Sequence, residues 1–113
     1  MVNLDKNEKA LVNLLPVGCE HPRSARELAK LLQLNDRAVR RLINHLATQH
    51  HLPIGSKSGE PAGYYWIVSE NERSLSIDQL NSQVESMVMR IKATSACQLI
   101  TKHAALNNNH HSA

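Results

Sequence analysis

Aromatic side chains are nearly missing from this sequence: there are three among 113 residues, and Tyr64, Tyr65 and Trp66 stand side by side. Cysteine is almost as scarce. Cys19 and Cys97 are too few and too far apart for the disulfide framework of a small secreted domain. Both read as free thiols, acting as small, half-buried apolar groups. No apolar run approaches the roughly 20 residues of a membrane span, and Met1 to Asp5 carries no secretory pattern, so a cytoplasmic location without membrane partners is expected. Catalytic signatures are missing too. There is no phosphate-cradling glycine loop, no nucleophile elbow and no pair of spaced carboxylates suited to acid–base work. Seven histidines are present, His21, His45, His50, His51, His103, His110 and His111, but their spacing matches no structural zinc site and no cysteine pair accompanies them. The expectation is a protein that is no enzyme and uses no metal or other cofactor.

What is there is enough apolar material for one core: 42% hydrophobic and 20% charged residues in a chain of single-domain length. The net charge of +3 is unevenly spread. Between Arg23 and Lys57, seven basic and two acidic residues give +5, while the flanks are each about −1. A local basic stripe suits a phosphate-bearing partner; a merely solvated face is the plainer alternative.

Hydrophobic spacing divides the chain into helices and a hairpin. Leu4 to Leu15 reads as a first helix, with Asn3 able to cap it, Asp5 in its first turn, and Pro16 and Gly18 stopping it. A loop follows over 17–23. Ser24-Ala25-Arg26-Glu27 has the form of a capping box and opens a second helix, with Ala25, Leu28, Ala29 and Leu32 on one face, ending near Gln33-Leu34. Asn35 is a good N-cap for a third helix, with Asp36 at its positive start. Val39, Leu42, Ile43 and Leu46 form its buried stripe, and Arg37, Arg40, Arg41, Asn44 and His45 its opposite face. This helix reaches about Gln49, and His50-His51 suits its negative end. Next, 51–55 reads as a short strand, 56–63 as a glycine-rich tip, and 64–68 as a second strand. A second Ser-x-x-Gln box at Ser76-Ile77-Asp78-Gln79 opens a last helix over 75–106. Its residues Ile77, Leu80, Val84, Met87 and Ile91 recur in steps of three and four, a short heptad-like seam. The polar tail 107–113 reads as a frayed, disordered end.

Two short helices joined by a tight turn, the second basic on its outer face, form a helix-turn-helix, and a hairpin directly after it is a wing. Ser24 to Leu32 with Asn35 to Ile43 resembles the winged-helix regulators of bacteria and their phages. Pro53-Ile54-Gly55-Ser56 with Gly63-Tyr64-Tyr65 is similar to the wing of the same proteins, especially short phage-encoded ones and the operator-binding domain of biotin repressors. The resemblance covers residues 4–70 and leaves out the C-terminal third. It implies a mainly helical α+β fold, with a winged-helix DNA-binding domain over 1–70 and double-stranded DNA as partner; the C-terminal helix read from the heptad-like spacing is an addition to it.

A helix fits the major groove. Arg37, Arg40 and Arg41 suit guanine or phosphate, and Asn44 suits adenine or phosphate. Asp36 can accept from cytosine N4 or can serve only the helix start. Arg26 and Asn35 complete the candidate face, and Lys57 is the one cation of a weakly basic wing. Tyr64, Tyr65 and Trp66 can stack on bases or, alternating along a strand, pack inward. For Ile77, Leu80, Val84, Met87 and Ile91 two readings stand: the helix folds back onto the core, or it pairs with another copy as a homodimer. Sequence-specific DNA binding, as a transcription regulator or a phage-type accessory of DNA transactions, is the leading functional expectation. A winged-helix protein-interaction adaptor is the alternative, because fold alone does not settle function.

Overall fold

The computed structural model describes residues 3–107. The elements run α1 (Lys6–Leu14), α2 (Ala25–Leu32), α3 (Asp36–Thr48), β1 (Ile54–Lys57), β2 (Gly63–Trp66), α4 (Glu70–Ala96) and α5 (Lys102–Asn107). The fold is α+β and mainly helical: three helices, an antiparallel hairpin, then a long helix, in a winged-helix layout. Two compact units divide the chain, residues 1–82 and 83–113.

In the first unit the helical stripes supply the core. Leu11 and Leu15 from the end of the first helix, Ala25, Leu28 and Ala29 from α2, and Val39, Ile43 and Leu46 from α3 form one buried cluster. Leu42, Leu52, Ile54, Tyr64 and Trp66 pack against it from the side. The caps are local and largely as expected. The Ser24 hydroxyl accepts from the Glu27 N–H at 3.0 Å, and Asn35 Oδ1 accepts from the Ala38 N–H at 2.8 Å. Glu27 turns its carboxylate to Arg23 instead, 3.5 Å away. The start of α1 differs from expectation. Asp5, not Asn3, is the N-cap, because Asp5 and Glu8 close a reciprocal capping box that satisfies two helix-start N–H groups at once.

The hairpin pairs Ile54 with Trp66, Gly55 with Tyr65, Ser56 with Tyr64 and Lys57 with Gly63. Its strands lie a little off their expected positions, and the segment 17–23, expected as a plain loop, is bonded to the free edge of β2. The Trp66 N–H donates to the Pro16 carbonyl at 2.7 Å and the Gly18 N–H to the Trp66 carbonyl at 2.9 Å. Arg23 and Tyr64 exchange a further pair at 3.0 and 2.7 Å. The connection approaches so closely that a Cβ on Gly63, whose φ is +150°, would stand 2.5 Å from the Arg23 backbone. The aromatic triplet divides as a strand must: Tyr64 and Trp66 face the helical core, and Tyr65 faces the other way, 1% exposed.

What covers Tyr65 is the start of α4. The Ser69 hydroxyl accepts from the Glu72 N–H at 3.1 Å, so this helix opens near Glu70 and not at Leu75. Ser76, expected to be a cap, is buried and accepts from the Ser56 N–H of β1 at 3.3 Å. The Tyr65 hydroxyl donates to the Glu72 carbonyl at 3.3 Å. The Glu72 carboxylate reaches past it, accepting from the Val68 N–H at 2.9 Å and the Cys19 N–H at 3.0 Å. The Val68 bond is the main cause that holds this carboxyl below the usual glutamate range; partial burial works against it and the Cys19 bond adds to it. Burial pushes the Tyr65 phenol up, with the neighbouring Cys19 and Glu72 adding to the shift.

The seam residues of α4 are all exposed, from 49% at Ile77 to 64% at Met87. In the second unit the expected single helix is divided. α4 ends at Ala96, and α5 begins after Thr101, whose hydroxyl accepts from the Ala104 N–H at 3.0 Å and caps it. Of the tail expected to fray, Asn107 is the last residue of α5, its amide 2.9 Å from the His103 ring; residues 108–113 lie outside those described.

Two consequences are measurable. Gly55 lies under the Tyr65 ring, and a Cβ there would be 2.6 Å from Tyr65 Cζ. Gly55→Ala is expected to lower stability by about 2 kcal/mol in urea melts, and by clearly less in a Tyr65→Leu background, because the clash is with that ring. The Glu72 pKa is depressed in the folded state, so its contribution is complete above the ordinary glutamate pKa of about 4.3 and is lost as pH falls through the lower folded value. Glu72→Gln should therefore flatten the decline of stability below that pH while leaving the fall caused by other groups.

Candidate nucleic-acid interface

The third helix positions the candidate face. At about 100° per residue, Arg37, Arg40, Arg41 and Asn44 fall within an arc of about 100° on the side away from Val39, Ile43 and Leu46. Burial follows this geometry: Val39, Ile43 and Leu46 are buried, and the three arginines and Asn44 are exposed. The core side fixes the helix, so the rotation of the basic side is set by packing and not by any contact of its own. Among the described residues, no carboxylate lies within ion-pair distance of Arg26, Arg37, Arg40 or Arg41; the ion pairs involve Arg23, Arg73, His45 and His50.

Arg26 is exposed on the first turn of α2. The turn between the two helices is short, with Gln33 in the left-handed region at φ 58° and Asn35 already capping α3. Asn35 is exposed but its Oδ1 is engaged by the Ala38 N–H, so its first task is structural. Asp36, half-buried, is the first residue of α3. Lys57 stands at the end of β1, half-buried, with its ammonium 3.4 Å from the Cys19 carbonyl. It is turned toward the α1–α2 connection, and the tip beyond it, Ser58 to Ala62, carries Glu60 and no cation.

Arg23, the remaining arginine of the basic segment, belongs to the scaffold: it donates to the Leu14 carbonyl at 3.1 Å and pairs with Glu27. The structure thus separates the basic stripe into four outward guanidiniums and one that stitches the helices together, a distinction that charge counting does not make. It also assembles a cluster that spacing did not reveal: Glu8, His45 and His50 offer three ligand atoms within 4.8 Å of one another. No described helix is long and apolar enough to cross a membrane. Compared with family models, curated proteins and solved structures, the chain gives no match.

The Asn35 cap is expected to be worth about 1 kcal/mol. Asn35→Ala should lose that amount in chemical denaturation, and Asn35→Asp, which keeps the acceptor, should lose little.

Proposed function

We propose that this protein binds double-stranded DNA sequence-specifically, by placing the first turns of α3 in the major groove, and that it acts by binding and not by catalysis. The observation that carries this reading is the outward row of Arg37, Arg40, Arg41 and Asn44, exposed, free of described acidic partners and opposite the buried stripe. Guanidiniums can bind guanine O6 and N7 or phosphate, and Asn44 can bind adenine or phosphate. Arg26, Asn35 and Asp36 flank the row, and Lys57 gives the hairpin a single cation, so one copy has few backbone contacts and modest affinity.

A second copy compensates for that. Ile77, Leu80, Val84, Met87 and Ile91 form an exposed apolar seam on α4, with β-branched residues at one heptad position and Leu or Met at the other, a pattern that favours parallel two-stranded pairing. The proposed assembly is a cytoplasmic homodimer that reads two half-sites about one helical turn apart, as a transcription regulator or a phage-type accessory of DNA transactions.

Binding of the purified chain to duplex DNA across a salt series is the test. Affinity should fall steeply with salt, and an Arg37→Ala, Arg40→Ala, Arg41→Ala variant should lose at least about tenfold, with a salt slope shallower by up to about 3. Failure to bind at low salt, or binding indifferent to the three arginines, sinks the reading and makes the adaptor alternative the better one. Val84→Glu with Met87→Glu should convert a dimer to a monomer in sedimentation velocity; an unchanged sedimentation coefficient removes the seam from the assembly.

A further inference from the structure

We propose that Glu8, His45 and His50 form a binding site for a divalent transition metal of the zinc class, clipping the first turn of α1 to the C-terminal end of α3. Glu8 is 5% exposed, and a carboxylate this deeply placed needs compensation for both oxygens. Oε1 has it, accepting the Asp5 N–H at 2.9 Å. Oε2 faces two imidazoles: His45 Nε2 at 3.5 Å and His50 Nε2 at 3.6 Å. Both separations exceed the roughly 2.7–3.2 Å of an N–H···O hydrogen bond. They match what one shared ion demands, since ligand atoms about 2.05 Å from a tetrahedral centre lie about 3.4 Å apart.

All three ligand atoms lie within 4.8 Å of one another. The two rings meet edge to face, centroids 5.2 Å apart and planes at 79°, so neither stacks over the other. The capping box fixes the carboxylate from behind, as outer-shell hydrogen bonds do in metal centres. Imidazole and carboxylate together suit zinc, cobalt, nickel and copper better than magnesium or calcium. Three protein ligands leave a fourth position for water or an external donor. Imidazole and carboxylate bind a metal in their deprotonated forms, so binding to such a set is proton-linked.

The test uses the full chain, stripped with chelator and titrated with Co²⁺ alone, followed by displacement with Zn²⁺. The expected result is the intense visible d–d absorption of four-coordinate Co²⁺, removed by Zn²⁺, and a melting temperature raised by Zn²⁺. His50→Ala should abolish the band. Glu8→Gln, whose amide oxygen still accepts the Asp5 N–H, should keep the helical circular dichroism and weaken Co²⁺ binding at least about tenfold. A variant carrying His103→Ala, His110→Ala and His111→Ala should retain the band. The proposal is overturned by a wild-type chain that shows no such band, by a band indifferent to Glu8→Gln and His50→Ala, or by one that disappears with the three C-terminal histidines.

Discussion

The backbone of β2 is hydrogen-bonded along both edges. β1 lies on one side, and Pro16, Gly18 and Arg23 of the α1–α2 connection lie on the other. A two-stranded hairpin alone is marginal in water. Here the second bonded edge turns it into part of the helical domain, and it does more. With the backbone of β2 held from both sides, Tyr64 and Trp66 are aimed at the core and Tyr65 is aimed away from it. That outward aromatic ring needs a cover, and the first turns of α4 provide it through Glu72 and Ser76. The orientation of α3 is set by the same core into which Tyr64 and Trp66 pack. The outward angle of the arginine row therefore depends, at one remove, on a strand that carries no arginine.

Much of this was legible in the sequence where the cause is local. Ser24 and Asn35 cap their helices because a side chain three residues from the N–H it accepts cannot miss it once the turn forms. The apolar stripe of α3 and the arginines opposite it follow from one helical period. At two helix starts the local signal is ambiguous, because two candidate caps compete. Asn3 and Asp5 both fit the start of α1, and the reciprocal bond from Glu8 decides for Asp5. Ser69 and Ser76 both fit the start of α4, and Ser76 is occupied by the Ser56 N–H from across the sheet. That second partner is 20 residues away in sequence, beyond the reach of any window.

The candidate sites divide in the same way. The row Arg37, Arg40, Arg41 and Asn44 lies on one helix and could be read from spacing. That Arg23 is a structural arginine, bonded to the Leu14 carbonyl, could not, because its role is created by the packing of α1 against α2. Nor could the Glu8 cluster. Glu8 belongs to the capping box of α1, His45 lies on the outer face of α3 and His50 follows its end; only the packing of α1 against the end of α3 brings the three together. The exposed seam of α4 is visible in the heptad spacing and open along its length in the structure.

The two edges of β2 also differ in the order in which a folding chain can make them. Tyr64 meets Ser56 across the hairpin after closing a loop of about 8 residues, but meets Arg23 only by closing about 40. The difference in closure entropy is about 1.4 kcal/mol in favour of the hairpin edge. The local pairing is therefore the cheaper one to form early, and the distant edge closes when α1 and α2 dock and bring their connection alongside. Until then β2 presents unpaired N–H and C=O groups of the kind that recruit strands from other chains. By bonding this edge, the connection 16–23 shields the finished protein from a liability that its own folding route creates.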